Sequence, residues 1–153
     1  MFVKCLSAVS IGVLLATSAA AHDYRAGNIA IDHPVIRVAS PVSKTGAGYL
    51  TLVNKGAAAD RLLAVITTAS ARADLHGTIA AGNVMQMRAQ AGGVPVPAGA
   101  TVRFAPGGLH IMFIGLRQAM PSGSTVAATL RFEKAGDVAV SFKAESAADA
   151  HQH

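Results

Sequence analysis

Thr125-Val126-Ala127-Ala128-Thr129-Leu130-Arg131-Phe132 and then, past Gly136, Val138-Ala139-Val140-Ser141-Phe142-Lys143-Ala144 decide the fold class of this chain. Val126, Ala128, Leu130 and Phe132 share one parity, while Thr125, Thr129 and Arg131 take the other. That is the two-residue period of a strand with one face in a core and one in water. Working outward, the same kind of short alternating segment recurs at 28–32, 35–39, 48–54, 61–67, 71–76, 84–89, 101–104 and 110–116, with glycine, proline and serine between the segments. No stretch holds an apolar stripe at helical spacing over a useful length. The chain therefore reads as all-β, a two-sheet sandwich or a Greek-key barrel. There is no internal repeat.

The ends read differently. Residues 1–21 begin with a basic residue, Lys4, continue through Val9, Ile11, Val13, Leu14 and Leu15, and finish on Ala19, Ala20 and Ala21. This is the pattern of a secretory signal peptide, with an apolar run too short to span a bilayer. The one cysteine, Cys5, precedes that run and is poorly placed to become a lipidated N-terminus. Cleavage after Ala21 would leave 132 of the 153 residues, without a thiol, suited to an oxidising compartment. Residues 22–144 then form one domain large enough to bury a core, and 145–153 read as a flexible tail carrying His151 and His153. Of 13 Lys and Arg against 8 Asp and Glu, loss of Lys4 leaves a net charge of about +4. The basic residues are scattered singly, so neither nucleic-acid binding nor stable membrane insertion has the dense basic stripe or long apolar run it needs.

Chemistry concentrates in four residues. His76 and Met87 are separated by ten residues, and His110 and Met112 lie in Pro106-Gly107-Gly108-Leu109-His110-Ile111-Met112. Imidazole and thioether together, with no thiolate, favour Cu(I) over most other available metals. In a strand His110 and Met112 project to one face and Ile111 and Phe113 to the other, and Met85 pairs with Met87 in the same way. Pro106-Gly107-Gly108 ahead of His110 reads as a turn that permits close backbone approach. Taken singly, Met85 and Met87 read as core fillers and each histidine as a hydrogen-bonded structural residue. Together the four read as a metal site, with Met85 auxiliary. Met120, beside Pro121, reads as a packing methionine, and His33, ahead of Pro34, as a histidine of an extended segment.

The combination of His76, ten residues, Met87 and then His110-Ile111-Met112 resembles the H-M-H-x-M copper motif of the periplasmic copper chaperones called PCu(A)C. The flanking text resembles that family as well: His22-Asp23-Tyr24 with Gly27, His33-Pro34, Gly46-Ala47-Gly48-Tyr49-Leu50 leading to Asn54, Val84-Met85-Gln86-Met87-Arg88, Val96-Pro97-Ala98-Gly99 and Pro106-Gly107-Gly108. The likeness covers nearly all of the chain after residue 21. One departure is aliphatic Val35 and Ile36 where relatives often carry an aromatic residue, a change of packing rather than of ligation. The resemblance implies a cupredoxin-like Greek-key β-sandwich and Cu(I) ligation by His76, Met87, His110 and Met112. It also implies a copper carrier of the periplasm whose acceptor is a cuproprotein such as a cytochrome oxidase subunit, notably its CuA centre.

Two neutral imidazoles and two thioethers leave the charge of Cu(I) uncompensated, so the metal should pass readily to a thiolate acceptor by stepwise ligand exchange. Affinity should weaken as pH drops below roughly 6.5, the value of an unperturbed imidazole. Because the chain has no thiol after residue 21, a separate thiol-disulfide partner is expected to keep acceptor cysteines reduced. A monomer is expected. His22 as a free N-terminus, with His151 and His153, could form a second site for Cu(II), which favours nitrogen donors. The rival readings are a copper buffering or resistance protein, a copper monooxygenase built on an N-terminal His22, and a metal-free β-sandwich adhesion module. There is no Gly-x-Ser-x-Gly elbow, reactive cysteine or close carboxylate pair, Gly46-Ala47-Gly48 is only a fragment of a nucleotide loop, and a blue-copper electron carrier would need a thiolate. The chain is not expected to be an enzyme.

Overall fold

The computed structural model describes residues 24–146. They form eleven strands and, among the described residues, no helix: β1 (Tyr24–Ala26), β2 (Ile29–Val38), β3 (Thr45–Asn54), β4 (Asp60–Ile66), β5 (Arg72–Ala81), β6 (Val84–Ala89), β7 (Val94–Val96), β8 (Thr101–Phe104), β9 (His110–Ile114), β10 (Thr125–Phe132) and β11 (Gly136–Ser146). The all-β expectation holds. The alternating pair read from the sequence is the β10–β11 hairpin, closed at Phe132 and Gly136, with Val126, Leu130, Phe132, Val140 and Phe142 buried.

The strands join in one continuous hydrogen-bonded order, β6-β5-β9-β3-β2-β11-β10-β4-β7, with β1 on β2 and β8 on β3. The order folds back on itself, because β4 lies against β5 and β3 against β7 although each pair is far apart along the ladder. Two layers result, linked through β2, and the apolar faces of both meet in one core containing Ile31, Ile36, Leu52, Leu62, Ile111, Phe113, Leu130 and Phe142. Phe113 and Phe142 meet edge-to-face at 5.3 Å between centroids, which ties β9 in one layer to β11 in the other.

Several elements depart from the sequence reading, each for a local reason. The segments expected at 28–32 and 35–39 form the single strand β2, Ile29–Val38, because a bulge between Asp32 and Val35 absorbs His33-Pro34, with His33 at φ 50°. Pro34 hides that continuity from a reading that treats proline as a break. β7, with Pro95 at its centre, is additional; it survives because it ends the ladder on the side opposite β6, where a missing N–H is tolerated. β1 is also additional. β5 runs five residues beyond His76, and β11 continues through Glu145 and Ser146, which the reading gave to the tail.

Gly48 decides how β9 seats on β3. A side chain there would put its Cβ 2.7 Å from the Phe113 ring and 3.2 Å from the Cβ of Ile111. Gly48→Ala is expected to lower unfolding free energy by about 1–3 kcal/mol, the usual range for overpacking a dense core, read as a lower denaturation midpoint.

The far end of the sandwich is held by two polar residues. Asn54 is buried with every amide atom used: Nδ2 donates to the carbonyls of Ala58 and Val96 at 2.9 and 3.0 Å, and Oδ1 accepts from the Gly56 N–H at 2.9 Å. Asp60 accepts from the N–H groups of Arg61, Lys134 and Ala135 at 2.7, 2.9 and 2.9 Å, clamping β4 to the β10–β11 turn. Burial pushes the Asp60 carboxyl up, but the backbone donors at Lys134, Arg61 and Ala135 and the Lys134 charge together hold it below the ordinary carboxylate value. A depressed folded-state value stabilises at pH above the unfolded one, near 3.8, and that contribution is lost as pH falls through the folded-state value. Asp60→Asn should therefore melt below the parent protein at pH 7, with the gap closing as the melts are repeated at pH under 3.8.

Candidate metal centre

β6, β5, β9 and β3 are consecutive neighbours, and their register decides what shares a face. His76 on β5 is the direct partner of His110 on β9, and Asp74 is the partner of Met112. On the other side of β5, Thr78 is opposite Met87, Ala80 opposite Met85, and His76 opposite Ala89. Residues directly opposite one another, or two apart on one strand, point the same way. Met85, Met87, His76, His110 and Met112 thus project from one outer face, while Leu75, Ile111 and Phe113 go to the core.

Four of those five line one open cradle. Met85, Met87, His110 and Met112 surround a cavity of about 330 Å³ with Ala47, Tyr49, Thr78, Pro106 and Gly107. His76 does not line it. Its ring lies edge-on to His110, with centroids 5.6 Å apart and planes at 79°, and its Nδ1 is buried without a hydrogen-bond partner among the described residues. An unpartnered buried ring nitrogen is costly unless something else occupies its lone pair or takes its proton.

His110 is held firmly. It is 6% exposed, and its Nδ1 donates to the Gly108 carbonyl at 3.0 Å, which leaves Nε2 as its free donor atom. The same carbonyl accepts longer bonds from the Thr78 N–H at 3.3 Å and hydroxyl at 3.4 Å. Gly108 closes a turn in which its N–H donates to the Ala105 carbonyl at 3.0 Å and Gly107 sits at φ 78°, the type II pattern with Pro106 at its second position. The expectation of a turn at Pro106-Gly107-Gly108 is met.

The methionines are the opposite case. Met85 and Met87 are 62% and 63% exposed on β6, an edge strand whose six residues are all exposed. They are not core fillers. Met112 is half-buried and Met120 is 6% exposed in the core. His33 is exposed on β2 and lines no part of the cradle. His22, His151 and His153 lie outside the described residues, as do residues 1–21.

Among the described residues no three of His, Cys, Asp and Glu come together to hold a metal ion. The soft donors this face offers are the thioethers of Met85, Met87 and Met112 beside the His110 imidazole, a set that suits a soft metal. Sequence reasoning passed over Tyr49, Thr78 and Asp74. Tyr49 lines the cradle under the Arg37 guanidinium, 5.5 Å from its ring centroid, and Asp74 pairs with Arg72 at 2.9 Å. Tyr49 lies in the family-like stretch 46–50 but was given no role there, and nothing local marks Thr78 or Asp74; register puts Thr78 opposite Met87 and Asp74 opposite Met112.

The β-sandwich is similar to solved PCuAC domains, one of them copper-bound. The copper-bound PCuAC domain from PmoF2 is 27% identical to this chain, with a TM-score of 0.68 over 82% of this chain and 98% of that domain. The apo PCuAC domain from PmoF1 is 26% identical, with a TM-score of 0.69 over 82% and 99%. The Cu(I) form of DR1885 from Deinococcus radiodurans shares the fold, at 23% identity and a TM-score of 0.62 over 85% of each chain. A family model described as "Putative lipoprotein LpqE-like" matches residues 29–144, and the chain belongs to that family. A curated relative, "Putative lipoprotein Lxx21020" of Leifsonia xyli subsp. xyli (strain CTCB07), is 31% identical over 86 residues, which are 56% of this chain and 52% of the relative. The chain spans about half the length of that relative.

Burial separates the methionines energetically. Serine at Met85 and Met87 together should move unfolding free energy by no more than about 0.5 kcal/mol per site, whereas Met120→Ala should cost about 2–5 kcal/mol in the same denaturant titration.

Proposed function

We propose that this chain is a copper carrier that holds Cu(I) through His76, Met87, His110 and Met112, with Met85 at the rim. The observation that carries the reading is the convergence of Met87, His110 and Met112 on one cradle with the His76 ring against His110. The donor set fits that ion: His110 keeps Nε2 free, His76 has a buried ring nitrogen without a partner, and the remaining donors are thioethers. The copper-bound PmoF2 domain, matched over nearly its whole length, supports copper as the metal.

Such a site suits transfer rather than retention. His110 opens β9 with its ring fixed by the Gly108 carbonyl of the preceding turn, while Met87 lies on an exposed edge strand within reach of an incoming ligand. An acceptor thiolate can displace Met87 while the imidazoles keep the metal. The acceptor we propose is a cuproprotein, the CuA centre of cytochrome oxidase, with a separate thiol-disulfide partner to keep its cysteines reduced. Export to the periplasm by residues 1–21 fits the lipoprotein description of the family. Among the described residues no helix is long and apolar enough to cross a membrane. The terminal histidines His22, His151 and His153 remain a proposed second site, for Cu(II).

X-ray absorption of the protein with one equivalent of Cu(I) should show both sulfur and nitrogen ligands. The double variant His110→Ala, Met112→Ala should lose them and bind Cu(I) at least roughly tenfold more weakly in a chelator competition. Nitrogen-only ligation that survives in the variant would move the metal to the terminal histidines and overturn the reading.

A further inference from the structure

Burial grades the thioethers of the described chain steeply. Met85 and Met87 are 62% and 63% exposed, Met112 is half-buried, and Met120 is 6% exposed. The two open ones stand two residues apart on the outermost strand, facing the same side, opposite Ala80 and Thr78. The Met85–Met87 pair thus meets solvent first, and one of its members is a proposed copper ligand.

We propose that Met85 and Met87 form an oxidative modification site through which a two-electron oxidant such as hypochlorous acid switches off copper binding. In the reaction a thioether sulfur attacks the chlorine of hypochlorous acid and hydroxide leaves, giving a chlorosulfonium ion. Hydroxide then displaces chloride at sulfur and the proton is lost, giving the sulfoxide with hydrochloric acid as the other product. Sulfur gains one oxygen and loses two electrons, which chlorine accepts. The sulfoxide is polar and offers a hard oxygen in place of the soft lone pair that binds Cu(I), so Met87 ceases to be a competent ligand. The change is local, because neither side chain packs in the core. It is also reversible, since peptide methionine sulfoxide reductases return sulfoxide to thioether. Met85, equally open and not one of the four proposed ligands, draws oxidant beside Met87. The switch rests on the Cu(I) reading above; the order of oxidation does not.

Trypsin sorts the four methionines into three peptides: cleavage after Arg72, Arg88, Arg103, Arg117 and Arg131 places Met85 and Met87 in 73–88, where fragmentation tells the two apart, Met112 in 104–117 and Met120 in 118–131. The folded, copper-free protein is titrated with hypochlorous acid. Each peptide is then followed by mass spectrometry, and Cu(I) affinity by competition with a chromophoric chelator. Oxidation should appear first in 73–88, later in 104–117 and last in 118–131, and the order should collapse in denaturant. Affinity should fall roughly tenfold or more as Met87 is converted, and recover on treatment with the reductases. Met85→Leu should keep the oxidant-induced loss. Met87→Leu should bind weakly from the start and show no further loss while only peptide 73–88 is oxidised. Oxidation of 104–117 or 118–131 as early as 73–88, or an unchanged affinity with both Met85 and Met87 oxidised, would overturn the proposal. Absence of Cu(I) binding in the untreated protein would instead sink the copper reading, and the peptide order would still report on the modification site.

Discussion

The register of β9 between β3 and β5 is the constraint on which the rest of the structure depends. His110 opposite His76 and Met112 opposite Asp74 put every donor on the outer face and leave Ile111 and Phe113 for the core. A slip of one residue would exchange those faces, burying imidazole and exposing an aromatic ring. Two features resist it. Phe113 packs edge-on against Phe142 of the other layer, and Gly48 on β3 leaves room for that ring. The core and the candidate metal face are thus two sides of a single registration.

Support is unequal across the site, and the inequality has a physical source. β9 has neighbours on both sides, so His110 is buried and its ring is oriented by a backbone carbonyl. β6 pairs only with β5, so the thioethers it carries are ordered by one strand and open to water. A pre-set imidazole beside loosely held sulfur is a sensible division for a carrier, since ordering both would slow release. The same openness that admits an acceptor ligand admits oxidant.

Polar residues keep the opposite end rigid at a distance from the cradle. Asn54 and Asp60 satisfy backbone groups where loops converge, which removes the penalty of burying those groups and fixes where β3, β4 and β10 end. β3 runs from Ala47 and Tyr49 at the cradle to Asn54 at that far end, so it carries rigidity from one to the other.

The all-β class, the strands that became β10 and β11, the Pro106-Gly107 turn and the same-face pairing of His110 with Met112 were determined by the sequence itself. Each follows from local rules: a period of two, the freedom of glycine and the fixed φ of proline. Only the tertiary structure decided that His76 lies opposite His110, that β5 continues past it to carry Thr78 opposite Met87, and that Tyr49 closes the cradle. It also decided that Met85 and Met87 are exposed, since alternation alone does not distinguish an edge strand from a covered one. Strand order and register are set by contacts between residues far apart in the chain, and no local pattern encodes which strands become neighbours.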